Sequence, residues 1–294
     1  MQRRVFLAGA AAAAVAACRE PAAAAAPARP VVVENNLEYS NPDGQHLQLN
    51  LARPAEGAGP LPAVLCIHGG GFRAGNRSGH DALIRRLAEQ GYVAATVSYR
   101  LAPRYQFPAA VHDVKAAVRW LRANAAKYHL DPARIGATGD SAGGHLAQFL
   151  GVTADVEEFE GTGGHPEQSS RVTCVVNYYG PSDFTQSYGK SVDAAEVLPL
   201  FLGGNLEQAR ERHIRSSPLY WVTPNAAPTL LIHGTKDNYV AYEQAQWMLD
   251  RLKASAVEAE LLTLEGAGHG FRGEDAERAE QARLAFFERH LKKS

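Results

Sequence analysis

The sequence predicts an α/β domain: a mostly parallel central sheet with helices on both faces. Three observations predict it. From Pro60 onward, short apolar runs alternate with amphipathic stretches, the pattern of strands joined by helical crossovers. The runs, such as Ala63-Val64-Leu65-Cys66-Ile67, are continuously apolar, as in strands covered on both faces. The chain has 294 residues, 46% of them hydrophobic and 21% charged, an ordinary globular mix with enough length for one large core.

The elements follow in order. Val31-Val32-Val33 and residues 46–51 flank Asn41-Pro42-Asp43-Gly44, a turn signal that makes an antiparallel entry to the domain. Residues 63–67 are the first buried strand, and 81–90 a helix that Gly91 stops. Residues 92–98 are the next strand. Pro108 opens a helix to about Tyr128, with Val111, Val114, Val118 and Leu121 on one face. A short strand at 134–138 precedes a helix from Gly144 to about Thr153. Residues 172–179 and 229–233 are further strands. Ala245, Met248, Leu249 and Leu252 mark a helix, 261–264 a last strand, and Leu284, Phe287 and Leu291 a final helix. Two stretches break the alternation. Residues 156–171 are polar and read as a surface loop. Residues 185–228 form a longer insertion, expected to be a packed excursion with some substrate contact rather than a lid.

Composition excludes several functions. A net charge of −1 and a pI near 6.8 lack the basic excess of a nucleic-acid binder. Three cysteines exclude a disulfide scaffold or a cysteine zinc cluster, and Cys66 and Cys174 read as buried free thiols. The scattered histidines show no metal-ligand spacing, there is no H-E-x-x-H, no complete P-loop and no dinucleotide-binding glycine motif, so no metal and no cofactor is expected.

The N-terminus reads as a targeting segment. Arg3-Arg4 precedes an apolar stretch from Val5 to Ala17, too short to span a membrane and right for a signal-peptide core. Arg3-Arg4-Val5-Phe6-Leu7 resembles a twin-arginine export signal, and Val15-Ala16-Ala17-Cys18 a bacterial lipobox. The expectation is a signal over residues 1–17, an Ala/Pro tether over 18–30 and a folded domain over 31–294. The protein would then be an exported, periplasmic or cell-envelope lipoprotein, touching membrane only through a lipid on Cys18. Cleavage near Ala26 is the alternative.

The chemistry-bearing residues sit after predicted strands. Gly139-Asp140-Ser141-Ala142-Gly143 is a G-x-S-x-G between a strand and a helix, the setting of a nucleophile elbow. In His68-Gly69-Gly70-Gly71, glycines free backbone N–H groups to face a cavity. Gly70, Gly71 and Ala142 are the expected donors to an ester oxyanion, each contributing roughly 3–4 kcal/mol in the transition state. His68 reads as structural. Of eleven histidines, His269 lies between glycines just after the last strand, a poor place for a core histidine and a good one for a general base. Asp237, in His233-Gly234-Thr235-Lys236-Asp237, is the expected orienting acid. Asp183, also just after a strand, is its competitor; Asp113 and Asp140 read as partners of backbone or arginine.

The set His68-Gly69-Gly70-Gly71-Phe72, Ser98 to Pro103 (SYRLAP), Gly139 to Ala147 (GDSAGGHLA), HGTKD and GAGHGF resembles the α/β-hydrolase superfamily. Within it the chain is similar to esterases related to hormone-sensitive lipase, and most similar to the branch of bacterial feruloyl and acetyl-xylan esterases. Two features depart from the hormone-sensitive-lipase group: Arg104 stands where that group has an acid after LAP, and the tether and hairpin leave no room for its helical cap.

The expected function is a serine carboxylic ester hydrolase with Ser141, His269 and Asp237 as its triad, acting through an acyl-enzyme on short-chain, acetyl-type esters. The resemblance implies a small-molecule or carbohydrate ester as partner. The same residues would serve an amide hydrolase of arylformamidase or exopeptidase type. A non-catalytic binding protein on the same fold is the third reading, and a chain of that kind typically lacks a triad member.

Overall fold

The computed structural model describes residues 29–57, 59–154 and 156–292. The expected export signal, Cys18 and most of the tether lie outside them. Strands β1 (Val31–Ser40), β2 (Leu47–Pro54), β3 (Leu61–Ile67), β4 (Val93–Val97), β5 (Leu130–Asp140), β6 (Val175–Tyr178), β7 (Thr229–Gly234) and β8 (Ala259–Leu264) form an eight-stranded sheet. Their order is β1-β2-β4-β3-β5-β6-β7-β8. The pairs β1–β2 and β2–β4 are antiparallel, and every pairing from β4 through β8 is parallel.

Helices α1 (Asp81–Glu89), α2 (Ala109–Ala123), α3 (Ala125–Tyr128), α4 (Ala142–Val152), α5 (Val192–Glu196), α6 (Leu198–Leu202), α7 (Arg210–Arg215), α8 (Glu243–Ala254) and α9 (Gly273–Phe287) follow the sheet. Successive residues of a strand point to opposite faces. In β3, Val64 and Cys66 join the core under α1 and α9, while Leu65 and Ile67 join the core under α2 and α4. The valine stripe of α2 is fully buried, as its spacing predicts. Met248 and Leu252 of α8 close a smaller core against Leu231 of β7. Cys66 and Cys174 are buried free thiols, and burial pushes the Cys66 thiol up to about 12.

Three local expectations are corrected. The helix expected over 108–128 breaks at Asn124, and α3 stops where His129 turns left-handed at φ 55°. Strand β5 begins at Leu130 rather than Arg134, because Leu130 pairs with Leu61 of β3. The 156–171 segment is more than a surface loop. Phe159 is buried, and Glu160 accepts hydrogen bonds from Lys115 Nζ at 2.8 Å and Arg119 Nη1 at 2.7 Å, two buried cations on α2. Lysine and arginine are rarely that buried without a partner, so the loop is pinned to the helix.

The 185–228 insertion is packed. Phe201 stacks on Phe72 with ring centroids 3.9 Å apart, and Val197, Leu198 and Leu202 join the main core. His145 of α4 shares a short hydrogen bond with Ser216 O at 2.7 Å, and burial pushes its imidazole down to about 4, so Nε2–H donates from a neutral ring. The excursion thus seats on α4 and on the loop after β3.

Candidate active site

Register brings the site together. Ile67, the last residue of β3, pairs with Gly139 near the end of β5, so the glycine loop and the serine turn leave the sheet side by side. Ser141 stands between β5 and α4 at φ 51° and ψ −120°, a strained conformation for an L residue. Its N–H donates to Tyr178 O at 2.9 Å, which ties the turn to β6. The turn needs a bare Gly143, where a Cβ would lie 2.0 Å from Ile67 O.

His269 follows β8 and Asp237 follows β7. His269 Nε2 is 3.0 Å from Ser141 Oγ, and His269 Nδ1 is 2.8 Å from Asp237 Oδ2. Asp237 Oδ1 accepts from the N–H groups of Tyr239 and Val240 at 2.9 Å each. Burial pushes the Asp237 carboxyl up, but hydrogen bonds from His233 and His269, the charge of His269 and the Val240 amide outweigh it. The carboxyl is held well below the usual carboxylate range, so it stays ionised and its acceptor oxygens fix His269 with the proton on Nδ1.

Asp183 lies elsewhere. Its Oδ1 accepts from Thr185 N at 2.8 Å, capping a short turn, and its Oδ2 accepts from Tyr220 at 3.2 Å. Of the two candidate acids, only Asp237 reaches the histidine.

The glycine loop presents its amides beside the serine. Gly70 adopts φ 111°, and a Cβ there would meet Ala74 O at 2.2 Å, so only glycine fits. Gly69 N–H donates to Asp140 Oδ1 at 3.2 Å, which removes it from the donor set. None of the hydrogen bonds found among the described residues uses the N–H of Gly70, Gly71 or Ala142. Ala142 opens α4, so its amide is one of the unbonded N–H groups of a helix N-terminus. His68 is structural: its ring stacks on Tyr99 at 4.3 Å and its Nδ1 lies 2.7 Å from Gly69 O. Asp113 pairs with Arg100 at 2.8 Å.

Several neighbours carry no role in the sequence motifs. His80 Nε2 lies 2.9 Å from Asp140 Oδ1, so an α1-side histidine braces the acid that holds the glycine loop. The rings of Tyr179 and Tyr239 lie 4.7 and 5.0 Å from that of His269. His233 lies behind Asp237, with Nε2 2.9 Å from Val240 O and 3.4 Å from Asp237 Oδ2. His233 opens the HGTKD run that carries Asp237, and the place of Tyr179 at a strand end could have pointed to it.

Residues 49–252 match the BD-FAE family model, which spans both the glycine loop and the serine turn. The chain belongs to the BD-FAE family. Among curated relatives, this BD-FAE chain is 36% identical to the esterase LipC of Mycobacterium tuberculosis, over 72% of its own length and 53% of LipC. It is 30% identical to an ethyl acetate hydrolase of Pseudomonas putida, over 81% of its own length and 75% of that enzyme. The chain spans about half the length of its mycobacterial relatives LipC, LipM and LipQ, 53%, 46% and 50% respectively. Among solved structures it resembles a truncated carbohydrate esterase from gut microbiota with a TM-score of 0.80 at 27% identity, covering 91% of this chain and 99% of that one. It also resembles esterase 2 of Thermogutta terrifontis phosphonylated by sarin, with a TM-score of 0.76 at 25% identity, covering 89% and 97%. The BD-FAE chain therefore has the α/β-hydrolase fold, with its candidate site at the carboxyl ends of the parallel strands.

Proposed function

We propose that the chain is a serine carboxylic ester hydrolase acting through an acyl-enzyme on short-chain, acetyl-type esters whose alcohol is a hydroxylated compound such as a sugar. The observation that supports it is the unbroken hydrogen-bond chain from Ser141 Oγ through His269 to Asp237, beside the amides of Gly70, Gly71 and Ala142. His269 Nε2 takes the Ser141 proton as Oγ attacks the ester carbonyl. The developing oxyanion is met by the amides of Gly70, Gly71 and Ala142, which no hydrogen bond found among the described residues occupies. His269 returns the proton to the leaving alcohol, and water repeats the cycle on the acyl-enzyme. Asp237 stays ionised throughout and stabilises the imidazolium.

Short acyl groups are favoured by the packed insertion. Val197 Cγ2 lies 3.1 Å from where a Gly71 Cβ would stand, and Phe201 is stacked on Phe72, so this side of the glycine loop is filled. The sugar alcohol is supported by the likeness to a carbohydrate esterase. We also place the protein in the cell envelope, anchored through Cys18, on the strength of Arg3-Arg4-Val5-Phe6-Leu7 and Val15-Ala16-Ala17-Cys18.

The test is hydrolysis of p-nitrophenyl esters of rising acyl length beside acetylated sugars, with mass-spectrometric mapping of an organophosphonate label. Labelling of Ser141 in step with activity, and turnover highest for acetyl to butyryl, is expected. Labelling of a different serine, or rates that climb from butyryl to dodecanoyl, overturns the reading.

A further inference from the structure

His233 is fully buried near the end of β7, where it pairs with Thr263 of β8. The sheet therefore fixes its backbone, four residues before Asp237. Its Nε2 faces two atoms that can only accept a hydrogen bond: Val240 O at 2.9 Å and, less closely, Asp237 Oδ2 at 3.4 Å. Nε2 therefore carries a proton. Nδ1, on the other side of the ring, is buried and has no hydrogen-bond partner among the described residues. A buried polar atom left unpaired costs stability, so the Nε2–H has to offset that cost.

That N–H acts in two places. It holds Val240 O, and the N–H of the same residue donates to Asp237 Oδ1 at 2.9 Å, so His233 closes the turn that grips the acid. It also sets a positive ring edge beside Oδ2, the oxygen that receives His269 Nδ1 at 2.8 Å. Burial pushes the Asp237 carboxyl up, and the hydrogen bonds from His233 and His269 bring it below the usual range. The ion pairs found for Asp237 among the described residues are with these two histidines. The other titratable groups facing the three are tyrosines: Tyr242 stands edge-on to His233 at 5.8 Å, and Tyr179 and Tyr239 lie 4.7 and 5.0 Å from His269. The nearby charges are engaged elsewhere or point outward. Asp140 is paired with His80, Glu243 with Lys190, Glu265 accepts from Thr235, and Lys236 is exposed.

We propose that His233 is a positioning residue for the triad: its Nε2–H holds the 237–240 turn, shares the Asp237 carboxylate with His269, and so sets the pH at which His269 becomes competent as a base. The inference rests on the esterase reading and adds a fourth side chain to its machinery. A second donor at Oδ2 weakens the carboxylate's pull on the imidazolium. Without it, Asp237 stabilises the imidazolium more strongly, and His269 keeps its second proton to higher pH. A histidine that only filled space behind the acid would leave that pH unmoved.

The experiment follows kcat and kcat/KM for p-nitrophenyl acetate from about pH 5 to 9. In His233→Leu, which removes the donor at similar volume, the low-pH limb of kcat/KM is expected to move up by about half a pH unit and plateau kcat to fall about tenfold. In His233→Gln the amide N–H can take the place of the ring N–H. It is expected to return the limb to within about 0.2 pH units of wild type and kcat to within about threefold. His233→Asn, too short to reach Val240 O, should behave as the leucine variant and replaces it if thermal unfolding shows that leucine is not accommodated. A limb that stays in place or moves down in a folded variant without the donor, or a glutamine variant that behaves like leucine, overturns the proposal. If the wild type does not hydrolyse the ester, the esterase reading fails and an NMR titration decides the role of His233. The His269 Cε1–H signal, assigned by its loss in His269→Gln, then supports the proposal if its midpoint is higher without the donor, and overturns it if the midpoint is unmoved or lower.

Discussion

Asp237 Oδ2 lies 2.8 Å from His269 Nδ1, and the carboxylate is fully buried while the imidazole keeps 23% of its side-chain surface exposed. The acid is therefore a fixed point, held on its other oxygen by two backbone amides, and the histidine is the more exposed partner of the pair.

Asp237→Asn is expected to lower kcat about ten-thousand-fold, because an amide in that place favours the wrong histidine tautomer. Asp183→Ala should leave kcat near the wild-type value and cost about 1 kcal/mol of stability through loss of the cap on Thr185. Steady-state kinetics with urea unfolding of both variants checks the ranking, and the reverse order would move the acid to the end of β6.

Ser141→Ala should reduce ester turnover roughly ten-thousand- to million-fold with the domain still folded. Ser141→Gly should be equally inactive but about 1 kcal/mol more stable, since glycine relieves the φ of 51°. Thermal unfolding of the pair checks this, and a glycine variant less stable than the alanine one would argue against strain at the elbow.

The depressed Asp237 carboxyl gives stability a definite pH dependence. Its folded value lies below the ordinary carboxylate value near about 4, so the folded state favours the ionised form. That contribution is complete above the unfolded value and is lost as pH falls through the folded one. Urea unfolding from pH 7 downward should show a constant difference between wild type and Asp237→Asn to about pH 5, and a shrinking wild-type advantage below about 4. A difference unchanged down to pH 3 would show that the carboxyl is not stabilised as an anion.

Glu160→Ala takes the shared carboxylate away from buried Lys115 and Arg119. It is expected to destabilise the domain by about 3–5 kcal/mol, the cost of breaking a buried charge pair. Because these groups lie on the α2 side, kcat of the folded fraction should stay within about twofold of wild type. A loss under about 1 kcal/mol in urea unfolding would identify the cluster as an ordinary surface ion pair.

Cys18→Ser should shift the mature protein from the membrane fraction to the soluble one, since each buried lipid methylene contributes about 0.8 kcal/mol of anchoring. Fractionation with N-terminal sequencing checks it, and a mature N-terminus after Ala26 would refute the anchor.

By itself the sequence determined the order of strands and helices, the strand–serine–helix turn at Ser141 and the glycine loop after β3. Each is a local property: periodicity reports which faces are covered, and a turn that admits only glycine at Gly143 announces itself in the residues beside it. The loop at 156–171 misled because a carboxylate that pairs with buried cations and a solvated one look alike in a string, and only Lys115 and Arg119 on α2 reveal Glu160 as an inward-reaching group. Tertiary structure decided what depends on residues distant in the chain. Asp183 and Asp237 both follow strands, yet the turn after β7 directs one carboxylate at His269, while Thr185 and Tyr220 hold the other away. A cavity between α1 and α9 likewise depends on parallel register, which brings Arg86 and Arg283 into one wall across nearly two hundred residues of chain. Local patterning has no means of recording that distance, because strand order and register are settled by packing of the whole sheet.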